Sequence, residues 1–149
     1  MVQRYRSVSH KFFIRAPPKK VFEAVSDPKR LVKWASDTAT VSPRKGGSYT
    51  LGFDGGRWIH SGKVLQYLPG VKVAYSWEWP GGELHGTKLT WTVKPMKGGT
   101  LLKVEHSGFP RSEKWTDLYG ITEWGWTYYS MNLKSVMETG HDLRSSNDG

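Results

Sequence analysis

Short runs of alternating apolar and polar residues fill most of the chain, interrupted early by two helical patches and replaced at the end by a helical rhythm. The run "VSHKFFIR", Val8 to Arg15, reads as a first strand and stops at "APP". Pro17 and Pro18 suit a helix start, because proline lacks the amide hydrogen that a first turn leaves unpaired. "KKVFEAVSD" then places Val21, Phe22 and Val25 at helical spacing. "DPKRLVKWA" begins a second short helix, with Asp27 as cap, Pro28 at the first helical position and Leu31, Val32 and Trp34 as its apolar side. After Ala35 six strand-like runs follow: "TATVSP", "SYTLGF", "RWIHSGKVLQYL", "VKVAYSWEW", "GTKLTWTVKP" and "GTLLKVEHSGF". The separators "RKGG", "DGG", "LPG", "PGGEL" and "MKGG" have hairpin length, so the strands form an antiparallel meander without crossover helices.

From about Ser112 or Glu113 the period changes. At ~100° per residue, Trp115, Leu118, Tyr119, Thr122, Trp126, Tyr129, Leu133, Val136 and Met137 share one face, which predicts one long amphipathic helix. Beyond Gly140 the polar "HDLRSSNDG" reads as a frayed tail, so residues 1–140 are expected to form one domain and 141–149 a disordered end. A sheet with one apolar face and a helix with one apolar stripe pack economically if the sheet wraps the helix, which gives an α+β fold.

Alternation also assigns faces. Val71, Val73, Tyr75, Trp77 and Trp79 share one side of their strand, with Lys72, Ala74, Ser76 and Glu78 on the other. Leu89, Trp91 and Val93 point inward on the next strand, and Leu102, Val104 and His106 on the one after. His106 thus falls among apolar side chains, as a satisfied core residue or as a polar group at a cavity mouth. An inner face so rich in rings is either a filled aromatic core or the wall of a small-molecule cavity.

The chain has 149 residues, enough for one domain with its own core, and it has no cysteine. Disulfides, thiolate zinc sites and cysteine nucleophiles are therefore excluded, and a cytoplasmic location is expected. The first ten residues contain no apolar run of the signal-peptide kind, and no stretch approaches the ~20 apolar residues of a membrane helix, so no membrane insertion is expected. The net charge of +9 is spread along the chain, apart from a modest cluster at Lys19, Lys20, Lys29, Arg30, Lys33, Arg44 and Lys45. Eight tryptophans and seven tyrosines are the sharper anomaly.

The five histidines show no paired metal-ligand spacing, so neither a metal nor a cofactor is expected. "GRWIHSGKV" is no phosphate loop: Val64 stands where a Ser or Thr must bind magnesium. There is no GxSxG elbow, and Ser107 points away from the adjacent His106 on a strand. Glu123 lies on the flank of the helix stripe and, with His106, is a weak acid–base candidate.

"IRAPPKKVFEAVSDPKRLVKW", "SPRKGGSYTL", "GKVLQYLPGVKVAYSWEW", "KPMKGGTLLKVEHSGF" and "EKWTDLYGITEWGWTYYSMNL" together resemble the homologues of the activator of the ninety-kilodalton heat-shock-protein ATPase. That family lies in the SRPBCC superfamily, with START lipid-transfer domains and the birch-pollen allergen type. The resemblance runs from about residue 8 to residue 138. It implies a helix-grip fold, a curved antiparallel sheet around a long C-terminal helix with a hydrophobic pocket between them. By position, Pro43 to Gly47, Trp77, His106 to Phe109 and the pair Gly125 and Trp126 match family landmarks, chiefly structural ones.

The leading expectation is a small-molecule binding protein whose pocket residues are Trp34, Tyr49, Trp58, Tyr75, Trp77, Trp91, His106, Tyr119, Trp126 and Tyr129. The ligand is a lipid, a polyketide or another flat apolar molecule. Alternatives are a cyclase- or hydrolase-type enzyme using His106 or Glu123, and a protein-interaction module, co-chaperone-like or dimerising. For the last, Trp124, Tyr128 and Met131 fall opposite the inward stripe as a second apolar face. No nucleic acid is expected, because the aromatic residues point inward rather than along an open basic groove.

Overall fold

The computed structural model describes residues 4–79 and 86–144. Ten elements follow one another: β1 (Tyr5–Ile14), α1 (Pro18–Ser26), α2 (Pro28–Leu31), β2 (Thr38–Val41), β3 (Ser48–Phe53), β4 (Trp58–Leu68), β5 (Lys72–Trp77), β6 (Thr87–Met96), β7 (Gly99–Pro110) and α3 (Glu113–Thr139). The expected turn "PGGEL", Pro80 to Leu84, lies outside the described residues, as do positions 145–149 of the expected tail.

One seven-stranded sheet runs in the order β1-β7-β6-β5-β4-β3-β2, and every neighbouring pair is antiparallel. The meander from β2 to β7 follows from the short connections, and β1 adds to the free edge of β7. β4 pairs with two strands in succession. Its first half pairs with β3 (Phe53 opposite Trp58) and its second half with β5 (Val64 opposite Tyr75), with a bulge between Val64 and Gln66. Gly62 sits at the changeover, where a Cβ would fall 2.4 Å from the Ser76 Oγ. Only glycine lets the two strands approach so closely.

The helix starts obey proline chemistry. Pro18 opens α1, Pro28 opens α2, and the Asp27 carboxylate accepts from the Lys29 N–H at 2.9 Å. α3 ends at Gly140, whose φ of 78° is the left-handed conformation that closes a helix cheaply only at glycine.

The inner face of the sheet and the inner stripe of α3 form the core. Val73, Tyr75, Trp77, Leu89, Trp91, Val93, Leu102, Val104 and His106 are buried as the alternation predicts, beneath Trp115, Trp126 and Leu133 of α3. Four positions differ. Val71 is half exposed, because it belongs to the turn before β5. Ala74 faces outward yet is fully buried, paired across the sheet with Gln66 and Thr90. Ser130 and Asn132 of α3 are buried polar residues that no apolar stripe announces.

Asn132 ties three segments together. Its Nδ2 donates to the Trp34 carbonyl at 2.8 Å and to Asp142 Oδ1 at 3.0 Å, and its Oδ1 accepts from the Leu143 N–H at 2.7 Å. Arg144 reaches from there to the carbonyls of Val32 and Ala35. Residues 141–144, within the stretch read from sequence as a frayed end, thus fold back onto the end of α2.

Candidate ligand-binding cleft

The β3–β4 hairpin shapes one end of the molecule. Asp54, Gly55 and Gly56 turn it with φ of 54°, 67° and 90°, and the Gly55 N–H donates to Asp37 Oδ2 at 2.7 Å, which anchors the tip. Beside the tip, Phe53 ends β3, while Trp58 and His60, two residues apart on β4, share a face. The end of β5 contributes Trp77 and, just beyond it, Trp79. Across from these, Ile121, Thr122, Gly125, Trp126 and Tyr129 recur at the i, i+4 spacing of one face of α3. Together these side chains line an open cleft of about 270 Å³.

Rings set its shape. His60 stacks on Trp77 with centroids 4.7 Å apart and planes 26° apart, and Trp77 meets Trp126 edge-on at 5.4 Å. Phe53 leans on Tyr129 at 5.9 Å, and Trp79 stacks on His106 at 5.6 Å. These are preferred aromatic geometries, so the walls are held by packing rather than by hydrogen bonds alone.

Behind the cleft a polar chain locks the rings. The Trp126 Nε1–H donates to His106 Nδ1 at 2.9 Å. With that nitrogen accepting, the His106 proton sits on Nε2 and is donated to Thr87 Oγ1 at 2.8 Å, and the Thr87 hydroxyl donates to the Trp77 carbonyl at 3.0 Å. His106 is fully buried, and desolvation, aided by nearby His60, pushes its pKa down to about 3. It is neutral, and neither ring nitrogen is free to exchange a proton with a ligand. Its place is that of an anchor, not of an acid or base. Glu123 is exposed and does not line the cleft, so the two candidates of an acid–base pair are not brought together at it.

His60 differs. Its Nδ1 lies 3.0 Å from the Glu78 carbonyl, which can only accept, so Nδ1 carries the proton. Burial lowers its pKa, with the Glu78 contact opposing, and favours the neutral ring.

Of the ten pocket residues read from the sequence, Trp58, Trp77, Trp126 and Tyr129 line this cleft. Tyr75 and Trp91 border only a gap of about 10 Å³, room for a water at most, and Trp34 stands between that gap and a depression on the side of α1 and α2. Their polar tips are spent inside: Trp34 Nε1 donates to the Ala24 carbonyl, and Tyr75 and Tyr49 donate to the carbonyls of Val25 and Ser76. Tyr119 packs on Phe109 under the Arg6 guanidinium, its hydroxyl donating to the Ser7 carbonyl. The centre is therefore a filled aromatic core, and the ring-lined open space lies at the hairpin end.

Phe53, His60, Trp79, Ile121, Thr122 and Gly125 join the cleft without having been singled out as ligand residues. The signal available was the shared parity of Trp58 and His60, and the i, i+4 series 121, 125, 129. On the outside of α3, Trp124 is 69% exposed and Met131 44%, whereas Tyr128 is half-buried, stacked on Trp124 at 5.6 Å and edge-on to Tyr129 at 5.2 Å.

A second depression of about 430 Å³ lies between α1, α2 and the end of α3, with Arg15, Lys20, Arg30 and Lys33 on its rim. Part of the basic cluster converges there. Among the described residues no three His, Asp or Glu side chains gather as a metal site, and no helix is long and apolar enough to cross a membrane.

The fold recurs in solved structures. A Mesorhizobium loti protein superimposes with a TM-score of 0.79 at 26% identity, covering 89% of this chain and 97% of that one. The Aha1 dimer of Colwellia psychrerythraea gives 0.77 at 22% identity over 91% of this chain and 98% of its own. DynU16, from the dynemicin biosynthetic locus, gives 0.78 at 23% identity over 93% of this chain and 49% of its own. Sequence comparison with curated proteins yields no match. The model of the family described as Activator of Hsp90 ATPase homolog 1-like protein matches residues 15–138. With its curved antiparallel sheet closed on one long C-terminal helix, the chain belongs to that family.

Proposed function

We propose that this protein is a small-molecule binding protein that holds a flat apolar or aromatic ligand in the cleft at the hairpin end. One observation carries the reading: the cleft of about 270 Å³ is walled almost entirely by aromatic and aliphatic side chains and remains open although the core beside it is filled. Such concave, mostly apolar sites with few polar groups are where small ligands bind. The DynU16 likeness supports a small-molecule setting, since that protein belongs to a biosynthetic locus. Titration of tryptophan emission with lipids, flavonoids and polyketides is the test. Saturable quenching or a spectral shift, lost in Trp77→Ala and Trp126→Ala, is expected. Unchanged emission with all three classes refutes the reading.

A second reading rests on the outer face of α3. Trp124, Tyr128 and Met131 follow at spacings of four and three, and Trp124 and Met131 are 69% and 44% exposed. We infer that this row mediates self-association, a reading supported by the Colwellia relative, whose structure is that of a dimer.

A further inference from the structure

One ring nitrogen of the cleft can only accept a hydrogen bond and has no donor among the described residues. His60 commits Nδ1–H to the Glu78 carbonyl, and its Nε2 has no hydrogen-bond partner among the described residues. A neutral imidazole in that tautomer presents Nε2 as an acceptor only. Trp77 stacks on it at 4.7 Å. Of the cleft's other polar groups, Thr122 donates to the Leu118 carbonyl and the Trp126 N–H is held by His106, while the Trp58, Trp77 and Trp79 N–H groups and the Tyr129 hydroxyl have no hydrogen-bond partner among the described residues. The indoles can only donate, so among the unengaged ring nitrogens His60 Nε2 is the acceptor.

A ring nitrogen that can only accept matches a ligand group that donates. We propose that the cleft selects planar aromatic molecules bearing a phenolic hydroxyl, the hydroxyl donating to Nε2 of His60. The inference rests on the cleft being the ligand site and adds what the ligand must carry. A hydroxyl meeting that nitrogen replaces its hydrogen bond to water, whereas its methyl ether keeps the flat ring but leaves the imidazole acceptor unpaired. Sites built to hydrogen-bond a hydroxyl discriminate strongly against analogues that lack it, for this reason.

The test compares 2-naphthol with 2-methoxynaphthalene by calorimetric titration of the whole protein. The parent is expected to bind 2-naphthol about tenfold or more tightly than the ether, the worth of one well-placed hydrogen bond. His60→Phe keeps a ring to stack on Trp77 but has no acceptor, and there the ratio falls towards one. His60→Gln restores an acceptor oxygen and retains a preference for the naphthol. Near-ultraviolet circular dichroism establishes that each variant is folded, and the parent's own ratio stands if one is not. Equal affinities in the parent, or an undiminished preference in His60→Phe, overturn the proposal while leaving the cleft as a ligand site. Binding of neither probe overturns both.

Discussion

His106 shows how much one buried side chain settles. Both its nitrogens are used, one to hold Trp126 and the other, through Thr87, to hold the backbone at Trp77, so it fixes two rings of the cleft at once. Its folded pKa, about 3, lies below the usual histidine value of 6.5, so as pH falls from 6.5 the unfolded chain takes up a proton that the folded chain refuses. Stability is complete above pH 6.5 and declines on acidification towards pH 3. His60, shifted the same way, adds to the decline. Between pH 7 and pH 5, above the carboxylate range, His106 alone accounts for roughly 2 kcal/mol of lost stability. Urea unfolding at the two pH values should show this drop, and His106→Gln, though less stable throughout, should show a smaller one. An equal drop in both proteins would assign the effect elsewhere. Alternation along β7 was enough to place His106 inward. What occupies its nitrogens was not legible, because Thr87 and Trp126 lie on other elements and meet it only through strand register and helix position.

Elements carry a different kind of information. The inward stripe of α3 is readable from its period, since a helix buries what recurs every three to four residues. Asn132 escapes that reading because it is polar, yet it joins the end of α2 to the segment after α3. β4 was recognisable as a strand, but its change of partner near Gly62 was not, and that change swings Trp58 and His60 towards α3. Gly125 is instructive on the helix itself. A Cβ there would meet nothing within 4 Å, so close packing does not demand glycine. Gly125→Ala is therefore expected to raise stability by about 0.5–1 kcal/mol, through helix propensity and a less flexible unfolded chain. The added methyl group stands at the cleft, so ligand affinity is expected to fall. Thermal unfolding beside a ligand titration measures both, and a variant that is neither stabilised nor weaker in binding would leave Gly125 without a role.

At the scale of the molecule the architecture was the most legible feature. Punctuation by glycine and proline, hairpin-length connections and one terminal helix permit few arrangements, and the observed sheet order is the simplest of them. The division of the aromatic residues into core and cleft was not legible, because inward-facing rings look alike in sequence whether space between them is filled or empty. The outer row on α3 makes the corresponding prediction for the whole particle. Light scattering over a concentration series should show the parent rising towards twice its monomer mass while Trp124→Glu stays monomeric, and identical masses throughout would refute self-association by this face.

The edge-to-face ladder that runs from Trp34 to Trp91, on to Trp126 and then to Trp77, with centroids 5.4 to 5.7 Å apart, also has an optical consequence. Indoles this close pass electronic excitation among themselves before they emit. Light absorbed by Trp34, sealed in the interior, can therefore leave the protein from a ring at the cleft wall, with its polarisation largely lost on the way. A molecule seated against Trp77 then extinguishes a chromophore it never touches, and the interior end of the ladder becomes an antenna for the end at the cleft.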